Sequence, residues 1–187
     1  MADLHGRADL LGRALAVCQA ERVDSIVFLG DIIDRDDQAN ACADALNGWR
    51  AWGVYGNHEQ QMVAALVMGA DLGLRPQTID FFETLEERIV IGDVCFVHDE
   101  LDWPRQDPVE SFFSRASPLD RWRYHLVFVG HTHHRAAVSA SGPLDIAHNL
   151  ITLDAQRRYI INPGPMVNGQ FAIWDRAERV ITFKQVR

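Results

Sequence analysis

The chain has 187 residues, 48% of them hydrophobic, a length and apolar content that suit a single domain with a sizeable core, residues 1–187. Its 18 Lys and Arg stand against 26 Asp and Glu, and a net charge of −8 at pH 7 disfavours stable nucleic-acid binding through phosphate neutralisation. There is no apolar run of the roughly 18 residues that a membrane span needs, and no charged start leads into an apolar secretory core, so a cytoplasmic protein without membrane attachment is expected.

Asp3-Leu-His5-Gly, at the very start, has the look of a ligand pair at a strand tip, yet only Met1-Ala2 precedes it. Leu10, Leu11, Ala14, Leu15 and Cys18 then recur at helical spacing. Four short runs rich in Val, Ile and Phe follow, each ending in a polar cluster. Ser25–Leu29 runs into Gly30-Asp31, Trp52–Tyr55 into Gly56-Asn57-His58-Glu59, Val94–Val97 into His98-Asp99, and His125–Val129 into Gly130-His131-Thr132-His133-His134. Continuous apolar runs of this length fit strands buried on both faces. Gln60–Met68 and Thr78–Glu87 read as helices between them, and alternation of strand and helix predicts an α/β sandwich whose ligand site gathers beyond the strand ends. Later, Leu150–Leu153, Tyr159–Ile161, Phe171–Trp174 and Val180–Phe183 are joined by short polar turns and predict antiparallel pairing in a second sheet. Cys18, Cys42 and Cys95 sit apart among apolar neighbours and read as reduced core thiols.

One histidine at a strand end is ordinarily structural. Here Asp3, His5, Asp31, Asn57, His98, His131 and His133 nearly all stand directly after an apolar strand, and coincidence accounts for that poorly. Imidazole nitrogens with carboxylate and amide oxygens suit Mn, Fe, Co, Ni or Zn, and no cysteine stands near enough to make a thiolate site. Seven donors exceed the needs of one tetrahedral ion. They are enough for two ions that share a carboxylate, about 3.5–4 Å apart, which could hold a bridging hydroxide and clamp the oxygens of an in-line displacement.

The ordered set D-L-H (3–5), G-D-I-I-D-R (30–35), G-N-H-E (56–59), a single His98 and G-H-T-H (130–133) resembles the calcineurin-like metallophosphoesterases. Asn162-Pro163-Gly164 is similar to a segment of the small bacterial phosphodiesterases in that superfamily, whereas G-N-H-E-Q-Q-M looks like phage-type serine/threonine protein phosphatases. The resemblance implies a metallophosphoesterase αββα fold, a two-sheet β-sandwich flanked by helices. It also implies a first metal on Asp3, His5 and His133, a second on Asn57, His98 and His131, and Asp31 between them. Manganese is the foremost expectation for both ions. His58 would act as general acid, kept protonated and oriented by Asp34, since an opposite charge favours imidazolium. Arg35 would grip phosphate oxygens through a bidentate guanidinium. Glu59 would fix a ligand histidine from outside the ligand set.

The activity implied is phosphoester hydrolysis, of a phosphodiester or a phosphomonoester. Protein serine/threonine phosphatase and diadenosine polyphosphate hydrolase activity are the alternatives, and a metal-free binding scaffold of the same fold is the non-enzymatic one. Substrates would be phosphorylated small molecules, nucleotides or phosphoproteins. Trp49 and Trp52 are expected in the core, and Arg121–Tyr124 at a solvated helix end. The stretch Leu101–Asp120, with Trp103, Phe112 and Phe113, is placed to fold over the site mouth. The missing apolar strand before Asp3 has two explanations: the start is internal to a longer protein, which we prefer, or the sheet tolerates a truncated first strand. In the second case Asp3 and His5 would sit on a frayed end.

Overall fold

A computed structural model describes residues 1–34, 38–99 and 124–187. Helix α1 (Ala8–Ala20) buries the predicted face of Leu10, Leu11, Ala14, Leu15 and Cys18. Strand β1 (Ile26–Phe28) connects through α2 (Ala39–Ala45) to β2 (Ala51–Gly53), and the two strands pair in parallel. Then come α3 (Asn57–Val67), α4 (Pro76–Glu83), β3 (Arg88–Ile91), β4 (Val94–Val97) and β5 (Leu126–Phe128). They are followed by β6 (Ala136–Ser139), β7 (Gly142–Pro143), β8 (Leu150–Thr152) and β9 (Tyr159–Asn162). A 3-10 turn (Met166–Asn168) leads into the hairpin of β10 (Gln170–Asp175) and β11 (Val180–Gln185).

A six-stranded sheet of order β3-β4-β5-β9-β6-β7 forms one layer, with β4, β5 and β9 parallel at its centre. Facing it are the β1-β2 pair and a three-stranded antiparallel sheet, β10-β11-β8. Leu29, Phe96, Leu126, Phe128, Ile161, Ile181 and Phe183 interlock between these layers, and α1 and α2 pack Leu11, Leu15 and Cys42 around Phe28 and Ile32. Each such side chain, fully buried, contributes about 1.5–3 kcal/mol by leaving water. The arrangement is the expected two-sheet sandwich with helices outside. The three cysteines are buried and free, as read from the sequence.

Three sequence expectations are corrected. The helix predicted over Thr78–Glu87 stops at Glu83; Glu86 bridges Val54, and the β-branched Ile89, Val90 and Ile91 continue as edge strand β3. Tyr159–Asn162 leaves the second sheet and inserts between β5 and β6, because all four of its residues are buried, as a central strand requires. Trp49 packs against the core from a half-buried position, as expected, whereas Trp52 is half-buried outside the core clusters, with the Arg50 guanidinium 4.6 Å from its ring centroid. The proposed cover at Leu101–Asp120, and Arg121–Arg123, lie outside the described residues.

Met1–Asp3 is no frayed end. The Met1 carbonyl accepts from the Leu29 N–H at 2.8 Å and the Asp3 N–H donates to the Gly30 carbonyl at 3.1 Å. On its other side Ala2 bridges Pro165 in parallel, and the Met166 and Val167 N–H groups donate to the Ala2 and Asp3 carbonyls at 2.7 and 3.0 Å. This short segment is hydrogen-bonded on both edges, with Ala2, Asp3 and Leu4 almost wholly buried.

Candidate metal centre

The parallel strands end on one side of the molecule, and their polar tips meet there. The Asp31 loop follows β1, Asn57 opens α3 after β2, His98 follows β4, and the His131–His133 turn follows β5. Asp3, His5, Asp31, His131 and His133 all adopt positive φ, between 46° and 64°. The Asp3 segment, β1 and β5 are thus followed by left-handed steps at ligand positions, whereas Asn57 and His98 follow β2 and β4 without one.

Two donor sets result. His5 Nε2 lies 3.0 Å from His133 Nε2, and His133 Nε2 lies 3.7 Å from Asp3 Oδ1. In the other set, Asn57 Oδ1 lies 3.1 Å from His131 Nδ1 and 3.2 Å from His98 Nε2. Asp31 Oδ2 is 3.4 Å from His98 Nε2, and Asp31 also groups with His5 and His58, with ligand atoms within 4.8 Å of one another. Asp31 therefore stands between the sets. All seven predicted ligand residues are brought together.

The environment suits cations. Asp3 Oδ2 is buried without a hydrogen-bond partner among the described residues, an arrangement that costs free energy unless a cation or proton satisfies it. Burial pushes the Asp3 carboxyl up to about 7. Burial also disfavours charge on His98, but the hydrogen bond and charge of Asp31 outweigh it and lift His98 to about 9. Burial acts against the Asp31 carboxylate, and the His98 hydrogen bond and charge reverse this and hold it low. His98 Nδ1 donates to the Leu29 carbonyl at 2.5 Å, which turns Nε2 toward Asn57 and Asp31. Nitrogen and oxygen donors converging on a buried orphan carboxylate fit divalent ions of the Mn, Fe, Co, Ni and Zn group.

His58 sits at the edge of the cluster. Its Nδ1 lies 3.2 Å from Asp34 Oδ1, its Nε2 lies 3.9 Å from Asp31 Oδ2, and its ring packs edge-on to His5 at 4.7 Å. Arg35 lies outside the described residues. Asp99, unassigned from sequence, places Oδ2 3.9 Å from His131 Nε2; His134 bonds its own turn, through the Thr132 carbonyl at 2.6 Å.

Glu59 corrects the sequence reading. Its carboxylate, fully buried, hydrogen-bonds no histidine among the described residues and instead accepts four backbone N–H groups. Oε2 takes those of Gly56 and Asp31 at 2.7 and 2.8 Å; Oε1 takes those of Ile32 and Ile33 at 2.8 and 3.2 Å. One side chain at the third turn position of α3 thereby fixes both ligand loops. A carboxylate is required because the loop turns several donors inward at once. Gly56 has its own reason: a Cβ there would lie 2.1 Å from Asp31 Oδ1. Sequence reasoning also gave no role to Asn162, whose amide donates to the Gly130 carbonyl at 2.9 Å and the Thr132 hydroxyl at 3.0 Å, while its oxygen accepts from the Gly164 N–H at 2.9 Å. The N-P-G segment thus anchors the turn that carries His131 and His133.

Comparison with known proteins agrees with this geometry. The profile of the calcineurin-like phosphoesterase superfamily domain matches residues 1–175. An uncharacterized protein of Methanocaldococcus jannaschii is 24% identical over 181 residues, covering 88% of this chain and 73% of that protein. The crystal structure of a metallophosphoesterase from Sphaerobacter thermophilus superposes with a TM-score of 0.76 at 24% identity, covering 100% of this chain and 87% of that one. Yfce, a phosphoesterase from E. coli, shares the fold at a TM-score of 0.50 and 14% identity, with 100% and 97% of the two chains covered. No helix among the described residues is long and apolar enough to cross a membrane. With its motifs, its sandwich and its donor cluster in agreement with that profile, the chain belongs to the calcineurin-like phosphoesterase superfamily.

Proposed function

We propose that the chain, as one domain, is a two-metal phosphoester hydrolase acting on phosphodiesters or phosphomonoesters. The observation that carries this reading is the position of Asp31 between two donor sets, Asp3–His5–His133 and Asn57–His98–His131. Divalent ions bound there, foremost manganese, supply Lewis acidity toward phosphoryl oxygens and an activated water.

The chain's own residues do the rest. Glu59 holds the Asp31 loop and Gly56 in fixed register, so the acceptors need no reorganisation when charge develops. With His58 Nδ1 engaged by Asp34, its Nε2 faces the cluster and is the atom placed to give a proton to a departing ester oxygen. His98 and Asp3, buried at the centre, exclude water from the inner side of the site.

The test has two parts. The protein reconstituted with Mn²⁺ is assayed on p-nitrophenyl phosphate, bis-p-nitrophenyl phosphate, diadenosine tetraphosphate and a phosphopeptide; turnover of none of them, with ions bound, would refute hydrolase function. His58→Asn is then measured across esters of rising leaving-group basicity. Loss of about 10²–10⁴-fold on poor leaving groups, smaller on good ones and with ion content unchanged, is expected of a general acid. An equal loss across the series would remove His58 from that role.

A further inference from the structure

Two histidines of the Asn57 donor set are held by unlike means. His98 is buried, and the nitrogen it turns away from the set, Nδ1, is fixed by the Leu29 carbonyl at 2.5 Å. The His131 side chain is 42% exposed, so packing alone does not set its ring. Its backbone is anchored, with the N–H donating to Asp3 Oδ1 at 2.9 Å, but that bond leaves the side-chain torsions free. Whatever turns Nδ1 to the donor set must act on the ring itself.

The choice of ring nitrogen is also contested. His131 Nδ1 lies 3.1 Å from Asn57 Oδ1 and 3.3 Å from His98 Nε2. A neutral imidazole carries one proton, on either nitrogen. The Asn57 oxygen, as an acceptor, would draw that proton to Nδ1, and a protonated Nδ1 has no lone pair for a cation. On the other side of the ring, Nε2 faces Asp99 Oδ2 at 3.9 Å. A carboxylate outcompetes an amide oxygen because it carries a full charge, and across this spacing a small rotation or one bridging water joins the two groups.

Strand order produces the pairing. β4 and β5 run in parallel with Phe96 beside Phe128, and the Gly130 N–H donates to the His98 carbonyl at 3.1 Å, which carries the ladder past the ends of both strands. One residue further on stand Asp99 and His131. The residue after one ligand is thereby set against the next ligand.

We propose, resting on the two-ion reading of the centre, that Asp99 is a positioning residue for the second ion. Its carboxylate draws the His131 proton to Nε2 and holds the ring with the Nδ1 lone pair turned to Asn57 and His98. Asp99 itself touches neither ion nor substrate. A carboxylate behind a ligand imidazole fixes both tautomer and ring orientation, as the Leu29 carbonyl does for His98.

The test compares ion-free wild type and Asp99→Ala, isotope-labelled at the histidine nitrogens, with the His131 signals identified by their loss in His131→Gln. Two-bond proton–nitrogen correlations should show the neutral His131 ring protonated at Nε2 in the wild type. In Asp99→Ala the form protonated at Nδ1 should grow to a comparable share. Calorimetric titration with Mn²⁺ should then show one of two ions weakened by about 10–100-fold in the variant, with the other retained. Asp99→Asn keeps the shape and loses the charge; it should move both readouts in the same direction, and it stands in if the alanine form does not fold. An unchanged tautomer overturns the proposal even where an ion is weakened, since Asp99 then acts as a ligand or as diffuse charge. Equal binding of both ions by wild type and variants overturns it as well and leaves the two-ion reading intact. A wild type that takes up fewer than two ions overturns that reading and the role of Asp99 with it.

Discussion

Replacing Glu59 by Gln tests whether one buried carboxylate organises the ligand loops. The change keeps the volume of the side chain and removes its charge, so no cavity forms. Glu59 accepts two N–H groups on each oxygen, from Gly56 and Asp31 on one and from Ile32 and Ile33 on the other. Glutamine has one acceptor oxygen, and in either orientation its NH₂ faces two backbone donors. Each buried N–H left without an acceptor costs about 1–3 kcal/mol, so the two together cost about 2–6 kcal/mol. That is a large part of the roughly 5–15 kcal/mol by which domains are stable. Burial raises the carboxyl of Glu59, and the Gly56 N–H, next in weight, opposes that rise; the desolvation relieved by Gln places the outcome in the lower half of the range. At about 2–4 °C per kcal/mol for a chain of this size, the ion-free melting temperature should fall by about 4–16 °C. Calorimetry and urea titration of ion-free wild type and Glu59→Gln measure it directly. A shift below about 2 °C with an unchanged urea slope would refute the claim that Glu59 holds the loops.

Asp31→Asn should lower the content of both ions together and turnover with them, because one carboxylate stands between the two donor sets; metal analysis showing two ions per chain with normal turnover would exclude the shared role. In the ion-free protein Asp3 keeps its proton to about 7 against an ordinary 3.8, so stability falls as pH rises between those values. His98 stays charged to about 9 against an ordinary 6.5, so the stability present below 6.5 is lost as pH rises through 9. Both act in one direction, but burial lowers the Met1 amine to about 6 and lowers His5 and His133, and these oppose them as pH rises; the Asp3 contribution is therefore read against ion-free Asp3→Asn, relative to which the wild-type melting temperature should fall between about pH 4 and pH 7, and a constant difference contradicts the assignment. Ion binding must displace those protons and should therefore tighten over the same interval, read as proton release by calorimetry in buffers of different protonation enthalpy.

The placement of the ligands was legible because each apolar run is short, buried on both faces and followed at once by a polar cluster. Tips of neighbouring parallel strands must lie on one side, which brings Asp31, Asn57, His98 and His131 together. What the sequence concealed follows from the same physics. Glu59 reads as a motif neighbour of Asn57, and nothing local shows that its partners are backbone groups of a loop 26–28 positions earlier. Tyr159–Asn162 has the same apolar character as the strands of the other sheet, and only the burial of every residue tells that it is central. The hold on Asp3 was hidden as well, because side-chain patterns do not reveal hydrogen bonds made on both edges by Ala2 and its neighbours.

The left-handed steps at Asp3, His5, Asp31, His131 and His133 limit how the centre can be re-engineered. Asp and His are among the few residues other than glycine that enter this region readily, whereas most side chains there cost about 1–2 kcal/mol. A designer who replaced His131 or His133 by Cys to capture softer ions, or Asp31 by Glu to lengthen its reach, would alter the turn as well as the donor. Across several positions such costs approach the margin by which a fold survives. The backbone thus acts as a second filter on coordination chemistry, and it steers variation at these positions toward Asp, Asn and His whichever ion is sought.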